Sequence, residues 1–337
     1  VLDTLYTKTE ETDMSIFDKR VAFKPFEYPS VTQYKDAINH SYWLVSEWNF
    51  ESDIQDFKVK LQPHERNAVR NTLLAISQIE VSVKKFWTKL GERFPKPEFE
   101  QVGVTFGESE VRHADAYSHL LQVLSLNDDF ALLLQNPVIQ GRVDYLTKYL
   151  KGAASNSDEN YTLTLALFSI FIENVSLFSQ FAIIKSFNKY KNVLKDIDNV
   201  VQATQKEETI HALLGVQMIK YVQEEFPEWF NEDFYNKIYR ASKKAYEAES
   251  KIIDWIFEEG ELDFISKDVL KEYIKQRFNE SVAMIGGEPV FEIDQDKVAE
   301  LAWFEDEIYA EVNTDFFYKK PVTYSKFSKS ITESDLF

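Results

Sequence analysis

Glu110, His113 and Tyr117 follow one another at intervals of three and four within the stretch Gly107 to Tyr117, and Glu208 with His211 repeats the Glu-x-x-His pattern further along the chain. Residues at those intervals share one face of a helix. A carboxylate and an imidazole on one stripe are two candidate metal ligands, and a phenol one turn beyond is a side chain that can be oxidised. Two further carboxylates occupy matched positions: Glu80 stands 30 residues before Glu110, and Glu173 stands 35 before Glu208. Four carboxylates and two imidazoles brought together would repel unless cations filled the centre. Oxygen and imidazole donors with bridging carboxylates suit two divalent ions of the manganese or iron type. Taken singly, either Glu-x-x-His reads as readily as a surface pair on a charged helix. It is the combination with Glu80 and Glu173 that makes a site. The remaining histidines, His40, His64 and His119, have Ala37, Leu61 and Ala116 three positions earlier. Tyr117 reads either as a core tyrosine with a bonded hydroxyl or as an oxidisable phenol beside a metal pair. Phe106 and Phe181 lie on faces that would wall such a centre from water, or else belong to an ordinary core.

Helices are needed to carry this pattern, and the composition supplies them. Only nine Gly and nine Pro interrupt 337 residues, while aromatic residues make up 15%. The spacing predicts a helix from Pro63 to about Leu90 bearing Glu80, and one from about Glu98 to Leu126 bearing the first Glu-x-x-His. A shorter helix covers Val138 to Leu150, and another from Lys191 to Tyr221 carries the second motif. Two more span Asn231 to Glu259 and Lys267 to Val282. Val31 to Phe50, rich in Tyr and Trp, reads as helical packing on the bundle. The most apolar run, Leu163 to Ile184, is long enough to cross a bilayer. Glu173 at its centre would be costly in lipid, so the run reads as a buried helix whose carboxylate faces something cationic. One Glu from each of two helices and one Glu-x-x-His from each of two others is the arrangement of ferritin-like dinuclear bundles. The expected fold is therefore all-α: a ferritin-like helical bundle with a dinuclear metal site in its core and extra packing helices. Residues 1–20 read as a flexible arm or linker, 21–313 as the bundle, and 314–337 as a mobile polar tail.

A net charge of −18 argues against nucleic-acid backbones and anionic membranes as partners. With no cysteine, disulfides, zinc–thiolate sites and cysteine nucleophiles are excluded. That absence fits a cytoplasmic protein.

On these motifs the chain resembles the radical-generating small (β) subunit of class I ribonucleotide reductase, from about residue 20 to about residue 325. The resemblance is carried by Glu110-Val-Arg-His113 with Tyr117, Phe171-Ile-Glu173-Asn, Glu208-Thr-Ile-His211, Ser41-Tyr42-Trp43, Gln62-Pro63-His64-Glu65, and Thr314-Asp-Phe-Phe317 leading to Tyr324. It implies Glu80, Glu110, His113, Glu173, Glu208 and His211 as ligands to two ions per chain. Tyr117 stands at the radical tyrosine position, and Trp43 and Tyr324 would relay an electron and proton toward a large catalytic subunit. The last residues would dock on that subunit. The implied activity is assembly of an oxidant that the large subunit uses to reduce ribonucleoside diphosphates. A homodimer and a small flavoprotein activase are further expected partners. Some members carry a nucleotide-binding domain before the subunit, and the polar start without Met fits a chain trimmed at that join.

Two positions depart from the family pattern. The first ligand, commonly Asp, is Glu80, and the residue beside the second motif, commonly Asp, is Glu207. Longer carboxylates alter bridging and redox tuning. They favour a dimanganese centre here, with diiron and manganese–iron as alternatives, and in some members the metal itself stores the oxidising equivalent. Rival readings are a di-metal oxygenase of the same fold, a ferritin-like storage protein, and a membrane protein built on Leu163 to Ile184.

Overall fold

The computed structural model describes residues 14–317 apart from 84, 152, 153 and 156. The described residues form helices and no strand; a lone bridge joins Leu262 to Ile265. The longer helices are α1 (Thr32–His40), α2 (Pro63–Val83), α3 (Pro97–Val123), α4 (Pro137–Lys151), α5 (Asp158–Leu167), α6 (Phe178–Lys191), α7 (Lys195–Glu225), α8 (Glu232–Ile256), α9 (Lys267–Met284) and α10 (Ala302–Phe317).

Local chemistry sets many of these boundaries. Pro97 opens α3, where its missing N–H costs nothing. The side chains of Ser157, Asn231 and Ser266 accept hydrogen bonds from the first-turn N–H groups of α5, α8 and α9. Asn192 ends α6 and Leu194 precedes α7, both at positive φ (56° and 59°). That left-handed turn explains why the second motif's helix begins at Lys195 rather than Lys191. The helix from Pro63 stops at Val83, and two short pieces, Lys85–Thr88 and Leu90–Arg93, continue the chain. They turn Phe86, Trp87 and Leu90 inward. The aromatic stretch after Val31 is helical only as far as His40, so Trp43 sits on a loop. At the other end, Asn313 and Thr314 are weak helix formers but do not end α10, which runs to Phe317. Ile16, within the segment read as an arm, is fully buried, and its N–H donates to Glu225.

Between α5 and α6 the helix widens to a π-turn, Phe168–Ser176, every residue of which is buried. This segment packs against α7 and α9. A wider turn leaves carbonyls for outside donors. Two buried guanidinium groups supply them: Arg277 Nε donates to the Asn174 carbonyl at 2.6 Å, and Arg142 Nη2 to that of Ser176 at 2.5 Å. Arg277 also bonds the Asn174 side chain, while Arg142 pairs with buried Glu249. Glu173 is thereby held on a clamped turn. The whole stretch Asp158–Lys191 is apolar enough to cross a membrane by composition, but its most apolar window lies entirely inside the bundle. Close packing shows at Gly215 on α7, where a Cβ would fall 1.8 Å from Ser169 Oγ on the π-turn.

Candidate metal centre

Four helical segments bring six side chains together. Glu80 comes from α2, Glu110 and His113 from α3, Glu173 from the π-turn, and Glu208 and His211 from α7. They form two overlapping sets, Glu80–Glu110–His113–Glu208 and Glu110–Glu173–Glu208–His211, each with donor atoms within 4.8 Å of one another. Glu110 and Glu208 belong to both sets, which is the topology of bridging carboxylates. His113 Nδ1 lies 3.0 Å from Glu208, 3.7 Å from Glu110 and 3.9 Å from Glu80. His211 Nδ1 lies 3.2 Å from Glu110 and 3.5 Å from both Glu173 and Glu208. All six are almost completely inaccessible to solvent.

The outer nitrogen of each ring fixes the tautomer. His113 Nε2 is 2.8 Å from the Glu207 carboxylate, which can only accept. Ser109 Oγ uses its proton on the Phe106 carbonyl, so it accepts from His211 Nε2 at 2.9 Å. Both rings therefore keep a proton outside and turn Nδ1 toward the carboxylates, where its lone pair would serve a cation once the inner proton has left. Glu207 is itself held by Arg112 at 3.0 Å, and Trp87 Nε1 donates to Glu173 at 2.8 Å.

Several of the inward atoms have no hydrogen-bond partner: both oxygens of Glu80 and of Glu110, one oxygen of Glu208, and Nδ1 of each histidine. Buried polar atoms are rarely left so. Two divalent cations would balance four carboxylates and take up these lone pairs, so the donor set fits a dinuclear centre. Without cations the charges respond to one another. Burial pushes the Glu80 and Glu173 carboxyls well up, with Glu208 adding to both. Burial would also push Glu208 up, but its close contacts with Glu173, His113 and His211 outweigh it and hold it well below the carboxylate range. Both imidazoles, which burial alone would push down, are held well above their ordinary value by the surrounding carboxylates.

Tyr117 is buried one turn past His113, with its hydroxyl 3.3 Å from Thr204 Oγ1. Desolvation and the Glu80 carboxylate push its phenol far up. Phe106 packs on the His211 ring at 4.2 Å between centroids. Phe181 is fully buried and meets Phe178 edge-on. Trp43 stacks on the His113 ring at 6.1 Å and 16°. Tyr324 and the tail beyond Phe317 lie outside the described residues. Trp87, Ser109, Arg112 and Thr204 escaped the sequence reading. Thr204 had a signal, since it stands four and seven before Glu208 and His211 and so shares their face.

The comparisons with known proteins agree with this geometry. The family model described as "Ribonucleotide reductase, small chain" matches residues 20–298. A relative from Invertebrate iridescent virus 3, named "Probable ribonucleoside-diphosphate reductase small subunit 048L", is 26% identical over 324 residues, covering 92% of this chain and 85% of its own length. Among solved structures, the ribonucleotide reductase R2 subunit from Clostridium botulinum superposes with a TM-score of 0.73 at 15% identity, over 84% of this chain and 89% of that one. The dimanganese(II) NrdF of Streptococcus sanguinis gives 0.68 at 15% identity, over 88% and 100%. At such identities the superpositions speak for the fold, and the match of the family model over most of the chain speaks for the family. The chain belongs to the ribonucleotide reductase small-chain family and is a small subunit of the class I ribonucleoside-diphosphate reductase, the partner of a large catalytic subunit.

Proposed function

We propose that this small subunit holds two manganese ions between Glu80, Glu110, His113, Glu173, Glu208 and His211, with Glu110 and Glu208 shared, diiron and manganese–iron being the alternative loadings. The observation that carries the ligand assignment is the set of inward-facing, unpartnered oxygens and Nδ1 atoms in an otherwise sealed core. Manganese is favoured by Glu80 and Glu207 standing where Asp is common, and by the dimanganese(II) state of the Streptococcus sanguinis relative in fold. When bound, the metal pair supplies a one-electron oxidising equivalent.

The chain's own residues do the rest. Glu207 and Ser109 orient the two imidazoles. Phe106 and Trp87 pack on His211 and keep water out, and Phe181 adds to the apolar wall. Burial keeps the Tyr117 phenol protonated at rest, and because an oxidised phenol is a strong acid, its electron and proton leave together. Trp43, against His113, and Tyr324 in the tail relay the equivalent outward, and residues 314–337 dock on the large subunit. We further infer a homodimer, a cytoplasmic setting and activation with a small flavoprotein.

Elemental analysis with electron paramagnetic resonance on protein from its own host tests the metal. Tyr117→Phe separates storage models: lost turnover with normal metal content places the stored radical on Tyr117, whereas retained turnover places it on the metals. The oxygenase reading shares the fold but gives the tail no role. Removing residues 318–337 should abolish activity with the large subunit, while an oxygenase would be indifferent.

A further inference from the structure

We propose that Trp48 is a second indole on the path between His113 and the surface, and that the cleft it lines is where a tyrosine side chain from outside the cleft exchanges an electron with it. The proposal rests on the relay reading of Trp43 given above. The Trp43 and Trp48 rings are in contact, 5.6 Å between centroids at 51°. Exposure rises outward along the series. His113 is fully buried and Trp43 is 4% exposed. Trp48 is half-buried and opens on a cleft of about 290 Å³ with Ser41, Asn199, Gln202, Ala203 and Lys206.

On another side of Trp43 stands a cation. Arg112 lies over both Trp43 (5.6 Å) and exposed Tyr42 (4.6 Å). A guanidinium is not oxidised and so cannot carry the equivalent onward, and its charge beside Trp43 is offset by the Glu108 and Glu207 carboxylates. Among the described residues, buried Trp43 Nε1 has no hydrogen-bond partner. With no base among them to take its proton, an oxidised Trp43 stays a radical cation. The balance is then simple. Trp48 gives one electron to the Trp43 radical cation, which returns to neutral with its N–H intact. The Trp48 radical cation takes one electron from an external phenol, whose proton passes to cleft water, leaving a neutral phenoxyl outside and a closed-shell Trp48 inside. The equivalent that drives this is the one the loaded subunit supplies in its established activity.

The absence of cysteine makes the test clean. Asn199→Cys places one thiol in the cleft for a ruthenium polypyridyl photo-oxidant on the full, manganese(II)-loaded chain. A flash with an oxidative quencher should give an indole radical in two phases, first on Trp48 and then on Trp43. Trp43→Phe should keep the first phase and lose the second. Trp48→Phe should cut the yield of oxidised Trp43 roughly tenfold or more, and slow turnover with the large subunit about as much. The variant carrying both changes sets the background from the other tryptophans. Unchanged Trp43 oxidation in Trp48→Phe, or no indole signal in the labelled parent, overturns the proposal. The relay reading of Trp43 fails separately, if Trp43→Phe turns over like the parent while the flash still oxidises Trp48.

Discussion

Replacing Ser109 by Ala separates the group that orients His211 from the proposed ligand itself. The hydroxyl does two things: it donates to the Phe106 carbonyl at 2.7 Å and accepts from His211 Nε2 at 2.9 Å. Both Ser109 and His211 are fully buried, so water cannot replace the lost acceptor. With the hydroxyl gone, Nε2–H is either orphaned, at about 1–3 kcal/mol, or the ring moves its proton to Nδ1, the atom the metal needs. In the first case the ring loses the contact that fixes its orientation, and in the second binding must return the proton to Nε2; loss of such an orienting group typically costs about 10–100-fold in affinity. The cost falls on one ion. His211 belongs only to the set containing Glu173, whereas His113 keeps its own acceptor, Glu207. Competition with a chelator, following manganese(II) by electron paramagnetic resonance, should therefore turn into two separated steps, one at parental affinity and one weakened. Parental affinity at both sites would refute the tautomer argument. Equal weakening at both would mean that the hydroxyl acts on packing rather than on His211.

Other perturbations follow from the same geometry. Glu173→Ala should lower the metal content below about two ions per chain, because it removes a carboxylate that only one set contains; normal loading in that variant would count against the site. Gly215→Ala drives a methyl into Ser169 on the π-turn; overpacking of this kind costs about 1–3 kcal/mol, read as a lowered midpoint in urea with an unchanged slope. Glu98 governs part of the acid limit. Burial pushes its carboxyl up, but Arg20 and the Tyr28 N–H outweigh burial and hold it below its ordinary value. A carboxylate with a lowered folded pKa contributes stability above its unfolded pKa, and that contribution is lost as pH falls through the folded one. Glu98→Gln should flatten the acid side of the stability profile in denaturant titrations, and an unchanged acid side would show that the pair with Arg20 contributes nothing.

The six side chains that converge in the core could be read in the sequence because their spacing is a local property. Glu110 with His113, and Glu208 with His211, share helix faces whatever surrounds them, and a carboxylate inside an apolar run demands a counter-charge. The groups that orient those ligands are tertiary. Ser109 serves His211 across two helices, and Trp87 serves Glu173 from a short helical piece that follows the end of α2. Neither distance leaves a mark in the spacing, although Thr204 stands on the same helical stripe as Glu208 and His211.

The π-turn is the deeper omission, and its cause is physical. One residue added to a helix rotates everything after it by about 100°. In an amphipathic helix that slip would show as a break in the polar face. The run around Glu173 is buried on all sides, so no polar face exists to record the change of phase. The compensation is recorded instead on other helices, as Arg142 and Arg277. In the sequence both look like ordinary surface charges of α4 and α9. In the fold they are buried and donate to the carbonyls of Ser176 and Asn174. An arginine on a mixed helix tells nothing by itself about whether it faces water or a wide turn. That is decided by which backbone oxygens lack an intrahelical donor, and only the assembled bundle decides it.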